Sequence, residues 1–148
     1  MPDILHKVAI KASPIETYKA LTTLDGLAGW WTNETTGDSA TGGIIHFRFA
    51  DRGFIDMKVL ELDPGKRVLW EVVAGPDVWI GTKVSFDLAQ DDDFTIILFK
   101  HQGWKEPSEF MHHCTTKWAT FLMSLKASVE TGTGAPFPND VHISNKGD

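Results

Sequence analysis

The stretch Ile44–Val59, IIHFRFADRGFIDMKV, decides the fold of this chain. Apolar and polar residues alternate on both sides of Asp51-Arg52-Gly53, a pattern typical of two β-strands joined by a turn. A three-residue hairpin loop with Gly53 in the left-handed conformation fixes their register. On the apolar face this register pairs Phe49 with Ile55, Phe47 with Met57 and Ile45 with Val59. A slip of one residue would mix the two faces, so we predict an antiparallel sheet with one apolar side.

The other face of this hairpin is polar and is expected to face solvent. There the same register pairs Arg48 with Asp56 and His46 with Lys58. A cross-strand ion pair on an outer face contributes only ~0.2–1 kcal/mol. We therefore interpret Arg48 and Asp56 as a structural pair and not as a catalytic one.

Further strands follow the hairpin, because turn signals recur about every ten residues as far as His101, which is typical of an antiparallel meander. Asp63-Pro64-Gly65-Lys66 suits a type II turn, and Gly75-Pro76-Asp77 marks the next loop. Five strands are predicted between Ile44 and His101. Carried across these turns, the apolar face contains Val68, Trp70, Val72, Ile80, Thr82, Val84, Phe86 and Leu88.

The register of the last strand stays open, since the length of the loop at Asp91-Asp92-Asp93 is not fixed by its residues. One register turns Phe94, Ile96, Leu98 and Lys100 inward, and the other turns Thr95, Ile97, Phe99 and His101 inward. We favour the second. An inward His101 would be a polar group whose charge can change near neutral pH.

Before the hairpin, Ile4–Ala12 alternates like a strand, and Ser13-Pro14-Ile15-Glu16 carries the signals that start a helix: a capping hydroxyl, Pro at the first helical position and Glu three residues after the cap. This short helix is expected to end near Thr22, with a break at Asp25–Gly29. Trp30-Trp31 then opens a connection that could either gate an opening or plug the sheet edge.

A long helix is predicted from about Ser108 to Glu130, after Pro107. Its apolar residues recur every three or four positions and form one stripe, which contains Met111, Cys114, Trp118, Phe121, Leu122, Leu125 and Val129. His112 and His113 lie off this stripe. Residues 131–148, which carry Gly132, Gly134, Pro136 and Pro138, are expected to form an extended tail.

Composition limits the function classes. The 148 residues suit a single domain, and the net charge of −6 argues against nucleic acid as a partner. The lone Cys114 and the lack of a secretory signal at Met1–Ile10 favour the cytoplasm. No apolar run is long enough for membrane insertion. The six Trp and nine Phe suit either a dense core or an apolar cavity wall.

The chain resembles one known family in the order and spacing of five segments: Ile10–Pro14, Trp30-Trp31, Gly42-Gly43, Val59–Trp70 and Trp118–Leu125. The family comprises proteins similar to the C-terminal domain of the activator of the heat-shock-protein-ninety ATPase. This resemblance implies an α+β, helix-grip fold of the START-like superfamily, in which a curved antiparallel sheet wraps around a long C-terminal helix and encloses an apolar cavity. Members of that superfamily include carriers, cyclases and the co-chaperone domain.

The leading functional prediction is a non-enzymatic domain that holds a small hydrophobic or amphipathic ligand between sheet and helix. The residues predicted to contact the ligand are Phe47, Met57, Trp70, Val72, Thr82, Val84, Phe99, His101, Trp118 and Leu122. One alternative is a co-chaperone-like module that binds a protein such as a chaperone. The other is a cyclase-type enzyme that uses an inward acid or base, for which His101 and Glu61 are the candidates.

No cofactor or metal is predicted. Adjacent helical residues such as His112 and His113 diverge by ~100° and cannot chelate one ion. Asp91-Asp92-Asp93 lacks the spaced oxygen ligands of a calcium loop and suits a hairpin turn. Cys114 lies on the buried stripe, where a thiol packs as a small apolar group.

Overall fold

A computed structural model describes residues 2–143 and shows a seven-stranded antiparallel sheet curved around one long helix. The strands are β1 (Ile4–Ile10), β2 (Glu34–Gly37), β3 (Ile44–Arg48), β4 (Phe54–Asp63), β5 (Arg67–Ala74), β6 (Lys83–Asp91) and β7 (Phe94–Gln102). Their order across the sheet is β1-β7-β6-β5-β4-β3-β2. Helices α1 (Pro14–Thr22) and α2 (Leu24–Ala28) follow β1, and α3 (Glu109–Thr131) follows β7. The α+β helix-grip fold is confirmed.

The predicted pairing of β3 with β4 is wrong by two residues, although the predicted faces are right. Phe47 lies opposite Ile55, and Ile45 lies opposite Met57. The loop is longer than expected because Ala50–Arg52 forms a single 3₁₀ turn, in which the Arg52 N–H donates to the Phe49 carbonyl (3.0 Å). A hydrogen bond from the Phe49 N–H to the Gly53 carbonyl (3.0 Å) closes the loop. A shift of two keeps every side chain on its own face, so the apolar residues of both strands are still buried.

The outer face of this hairpin carries a polar cluster around Asp56. Its Oδ1 accepts hydrogen bonds from Arg48 Nη1 (2.8 Å) and His46 Nδ1 (2.9 Å). Partial burial alone would raise the pKa of Asp56, but the hydrogen bonds from Arg48 and His46 outweigh it and lower that pKa below its ordinary value. The cluster lies on the side of the sheet away from α3, as predicted for a structural pair.

A β-bulge in β4 moves Glu61 off the inner face. Val59 lies opposite Trp70, but the next pair is Glu61 with Leu69, so one extra residue is accommodated between them. Glu61 is therefore exposed, and its Oε1 lies 3.5 Å from the Nε of Arg67. The prediction that Ile80 faces inward is also wrong: Ile80 belongs to the loop before β6 and is 48% exposed.

The favoured register of β7 is confirmed, because Thr95, Ile97, Phe99 and His101 are all buried. Phe99 pairs with Phe86 of β6, and His101 pairs with Val84. β1 lies on the other side of β7 and turns Ile4, Val8 and Ile10 inward. The inner face of the sheet is thus apolar from β1 to β4, apart from a few threonines, His101 and His6, whose Nε2 lies 3.0 Å from Thr115 Oγ1 of α3.

Two short elements between β1 and β3 differ from the sequence expectation. Ser13 caps α1 as predicted, with its Oγ 3.2 Å from the Glu16 N–H. The segment expected to break that helix is itself a helix, α2, capped by Thr23. The connection after Trp31 contains the edge strand β2, which pairs with β3. Its Thr and Gly residues give no alternating pattern, so hydrophobic periodicity could not reveal it.

Helix α3 begins at the N-cap Ser108, whose Oγ accepts a hydrogen bond from the Met111 N–H (3.2 Å). It ends at Gly132, which adopts the left-handed conformation with φ of 86°. The central part of the predicted stripe is buried against the sheet, and its members are Cys114, Trp118, Phe121, Leu122 and Leu125. Met111 and Val129, at the two ends of the stripe, are partly buried.

Side chains of α3 also bind the free edge of β1. Lys126 Nζ donates to the Ala9 carbonyl (2.7 Å), and Glu130 Oε2 accepts from the Lys11 N–H (2.8 Å). Lys126 and Glu130 pair with each other as well (2.6 Å). The hydrogen bond from the Lys11 amide, together with Lys126, lowers the pKa of Glu130.

The tail is docked on the domain as far as the described residues extend. Phe137 forms a parallel bridge with Thr32, and its N–H donates to the Trp31 carbonyl (2.8 Å). Phe137 is buried, so this part of the tail belongs to the folded structure. The remainder of the predicted tail, residues 144–148, lies outside the described residues. Among residues 2–143, no helix is both long and apolar enough to cross a membrane.

Candidate functional site

A cleft of about 500 Å³ opens at one end of the sheet, beside the first half of α3. Five segments enclose it: α3, the loop between β3 and β4 with the start of β4, the loop after β5, the tail, and the connection after α2, which contains Trp31. Its volume lies within the range of ~300–1,000 Å³ typical of small-molecule sites. The lining residues are Trp31, Phe49, Arg52, Gly53, Phe54, Ile55, Pro76, Trp79, Phe110, His113, Cys114, Lys117, Trp118, Phe121, Phe137, Asp140, His142 and Ile143.

Aromatic rings make the inner wall of the cleft. Trp31 lies centrally, with its ring centroid 4.9 Å from that of Trp118 and 6.4 Å from that of Phe121. Trp118 stacks in turn with Trp79 (6.0 Å, 21°). Trp31, Trp79 and Trp118 are each less than 10% exposed. These rings pack on one another, so they form a rigid apolar wall against which a flat or linear apolar group can pack.

The tail forms the opposite wall and is held by an ion pair to α3. Lys117 Nζ donates to Asp140 Oδ2 (2.5 Å) and to the Val141 carbonyl (3.0 Å). The same ammonium lies 5.1 Å from the centre of the Phe121 ring. The side chain of Asp140 is only 9% exposed and that of Lys117 is 23% exposed. This pair is therefore more shielded from water than an ordinary surface ion pair.

The lining is basic in a chain that is acidic overall. Arg52 and Lys117 supply two positive charges, and Asp140 is the acidic residue of the lining. His113 and His142 also line the cleft. Arg52 lies over the ring of Phe137, with its Cζ 5.5 Å from the ring centre. The cleft thus combines an apolar inner wall with cationic groups near the tail.

Nine of the ten residues predicted to contact a ligand lie in the closed core, and Trp118 is the member of that set that lines the cleft. Phe47, Met57, Trp70, Val72, Val84, Phe99 and Leu122 are each 0–1% exposed. Aromatic contacts fill the space between sheet and helix: Trp70 lies 5.2 Å from Phe86, and Phe99 lies 4.6 Å from Trp118. A ligand in the cleft would rest on the outside of this packed layer. Contact between these nine residues and a ligand stays a prediction.

His101 is the polar centre of that core, enclosed by the rings of Trp79, Trp104 and Trp118. Trp118 Nε1 can only donate, and it lies 3.1 Å from His101 Nδ1. The ring proton of the neutral imidazole is therefore on Nε2, from which it is donated to Thr82 Oγ1 (2.8 Å). The Thr82 hydroxyl donates onward to the Trp79 carbonyl (2.5 Å). Both ring nitrogens are satisfied, so His101 is built into the core.

Burial lowers the pKa of His101 to about 3, because a charged imidazole would lose its hydration inside this aromatic cage. The expectation of a charge change near neutral pH is thus wrong for this environment. His101 does not line the cleft, and neither does Glu61, the other acid or base candidate. These two residues give no support to a catalytic role.

Among residues 2–143, no group of three or more His, Cys, Asp and Glu side chains is placed to hold a metal ion. His112 Nδ1 lies 2.7 Å from the Ser108 carbonyl on the exposed side of α3. His113 instead stacks on Phe110 (6.2 Å) and lines the cleft. Of the two histidines, His113 therefore belongs to the cleft and His112 does not.

Residues 11–130 match the model of the family described as activator of Hsp90 ATPase homolog 1-like protein. The chain belongs to this family. A structure described as the solution structure of the Aha1 dimer from Colwellia psychrerythraea is 47% identical, covering 90% of this chain and all of that one, with a TM-score of 0.83. None of the curated proteins compared with the chain matches it.

Two more distant structures share the fold. A protein from Staphylococcus saprophyticus is 13% identical, covering 90% of this chain and 95% of that one, with a TM-score of 0.75. A protein from the dynemicin biosynthetic locus is 23% identical, with a TM-score of 0.72 over 89% of this chain and 48% of that one. At these identities the likeness shows the helix-grip fold alone.

The match to the activator of Hsp90 ATPase homolog 1-like family covers most of the cleft but not its tail wall. The loop containing Arg52 and the helix containing Lys117 lie within the matched residues, whereas Phe137 and Asp140 lie beyond them. Most lining residues come from loops and the tail, where no periodicity marks a common face. The sequence signal for the tail wall is modest: Phe137 is an isolated aromatic between prolines in an otherwise polar tail.

Proposed function

We propose that this member of the activator of Hsp90 ATPase homolog 1-like family binds a small amphipathic molecule in the cleft beside α3. The observation that carries the proposal is the cleft itself, about 500 Å³ with a wall of packed Trp and Phe rings. Burying the apolar body of a ligand there contributes ~25 cal/mol per Å² of apolar surface removed from water. The few polar groups near the tail would orient the ligand.

Binding can be tested with the neutral fluorescent probe N-phenyl-1-naphthylamine, which brightens in apolar surroundings. We expect saturable binding that Phe54→Ala and Phe110→Ala each weaken roughly five- to tenfold, since each change removes ~1–1.4 kcal/mol of apolar contact. Both side chains line the cleft. Phe54 is 44% exposed, so its removal leaves the core intact.

Phe94→Ala is the matched control for this experiment. Phe94 is the first residue of its strand, as Phe54 is, and has a similar exposure of 37%, but it does not line the cleft. The control should bind the probe like the unmodified protein. Absence of saturable binding, or equal weakening by Phe94→Ala and Phe54→Ala, would contradict the proposal.

A second candidate function is a protein-interaction module of co-chaperone type. It is supported by the family match and by apolar side chains exposed at the cleft end of the sheet, where Phe54 is 44%, Val78 51% and Ile80 48% exposed. The test is the ATPase rate of a purified Hsp90 with and without this chain. A stimulated rate that Ile80→Ser and Val78→Ser reduce would favour this candidate, and an unchanged rate would exclude it for that chaperone.

A further inference from the structure

We propose that the tail segment Phe137–Val141 is an internal substitute for the ligand, and that the cleft takes an amphipathic monocarboxylate whose acidic group displaces Asp140 from Lys117. The inference rests on the function proposed above, since it assigns the chemical class of the ligand for the same cleft. It also assigns the tail a role as a strap that competes with that ligand.

The first observation is that two oxygen atoms of the tail bind the Lys117 ammonium. Its contacts are a carboxylate oxygen of Asp140, the carbonyl of Val141 and the face of Phe121. Asp140 and Val141 belong to the tail, whereas Phe121 belongs to α3 and lines the cleft itself. An amphipathic acid would present to Lys117 the same carboxylate group that Asp140 presents. The tail therefore shows which chemistry this lysine accepts at the wall of the cleft.

The second observation is that the other cation of the lining contacts the same tail segment. Arg52 lies over the Phe137 ring at 5.5 Å, a distance typical of a cation–π contact. Phe137 also packs edge-on against Phe49, which lies in the same loop as Arg52, with 5.5 Å between the two ring centroids. One segment of about five residues thus covers both positive charges of the cleft, one with a carboxylate and one with an aromatic ring.

Exchange of one carboxylate for another explains why the ligand class would be acidic. A carboxylate ligand can replace Asp140 while Lys117 keeps an ion pair, so the charge count of the cleft does not change. A neutral amphiphile that displaced Asp140 would leave a shielded ammonium without its counter-charge, which is costly. The apolar body of the acid, buried against the aromatic wall, then supplies the driving force.

The test compares decanoate with 1-decanol as competitors that displace N-phenyl-1-naphthylamine from the full chain. The two molecules share their apolar body and differ in the acidic group. We expect decanoate to compete at least tenfold better than 1-decanol. Equal competition would overturn the inference while leaving the proposed function standing, whereas absence of any probe binding would remove the proposed function itself.

Three variants separate the roles of the residues. Asp140→Asn should tighten decanoate about fivefold, because loss of the internal competitor raises the fraction of binding-competent protein. Lys117→Gln should abolish the preference for decanoate over 1-decanol. Glu130→Gln is the control, since it removes a carboxylate that pairs with a lysine of the same helix outside the cleft.

Weaker decanoate binding by Asp140→Asn would overturn the proposal that the tail competes with the ligand, because it would show that Asp140 contributes to ligand binding. The same proposal would also be overturned if Glu130→Gln changed the preference for decanoate over 1-decanol as strongly as Lys117→Gln does. Thermal unfolding of each variant shows whether it is folded under the assay conditions.

Discussion

At the scale of a single side chain, the burial of His101 makes the unfolding free energy depend on pH. Its folded pKa of about 3 lies below the ordinary value of 6.5, so the unfolded chain binds a proton more readily than the folded one. The stabilisation is fully present above pH 6.5 and is lost as the pH falls toward 3. The expected slope from this residue is about 1.4 kcal/mol per pH unit within that window.

The measurement for His101 is urea unfolding between pH 7 and pH 4, for the protein and for His101→Gln. The difference in unfolding free energy between the two should shrink as the pH falls, because carboxylates titrate in both and cancel. NMR gives an independent reading, since the imidazole signals of His101 should not titrate above pH 4. A midpoint near pH 6 would contradict the neutral, caged histidine.

The sequence favoured an inward His101 but left the opposite register of β7 open, and it could not reveal the neighbours of His101. Alternation along β7 groups His101 with Thr95, Ile97 and Phe99, and the structure buries all four. The hydrogen bonds that fix its charge come from Thr82 before β6 and from Trp118 on α3. Such partners are set by tertiary packing, about which local periodicity carries no information.

At the scale of elements, the start of α3 depends on its cap. Ser108→Ala removes the acceptor for the Met111 N–H and should cost about 1 kcal/mol of unfolding free energy. Thr116→Ala is the control, because the Thr116 hydroxyl bonds back to the His112 carbonyl within the exposed helix and Ala has the higher helix propensity. Urea unfolding measures both, and equal losses would speak against capping as the cause.

Elements with strong periodicity were predictable, and those shaped by irregular backbone were not. β3 to β7 and α3 each bury one regular face, so their existence follows from the sequence. The 3₁₀ turn at Ala50–Arg52 and the bulge before Glu61 change register without changing composition. The first shifted the predicted partners by two, and the second turned Glu61 from the inner face to the outer one.

At the scale of the whole molecule, the docked tail couples the last described residues to the sheet. Phe137→Ala removes a ring that packs on Phe49 and Arg52 and should cost about 3 kcal/mol, at the low end for a buried Phe. Phe94→Ala, at a half-exposed site, should cost less than ~1 kcal/mol. Urea unfolding compares the two, and a similar small loss in both would mean that the tail contributes little to global stability.

The cleft itself could not be predicted at this scale, although the fold was. Its walls come from Trp31 in the connection after α2, from residues 49–55, from the loop after β5, from α3 and from the tail, which lie far apart in sequence. The predicted wall was the inner face of the sheet, and the density of Trp and Phe packs that space instead. A composition rich in aromatic residues suits either outcome, and the three-dimensional packing decides between them.

The contacts between α3 and β1 determine how copies of this protein can meet. An exposed edge strand offers its free carbonyl and amide groups to a strand of another molecule, which is the route to edge-to-edge polymers. Here the Ala9 carbonyl and the nearby Lys11 amide are already bound by Lys126 and Glu130. Pairing of a further strand with this end of β1 is thereby blocked, so self-association here would have to proceed through side-chain surfaces.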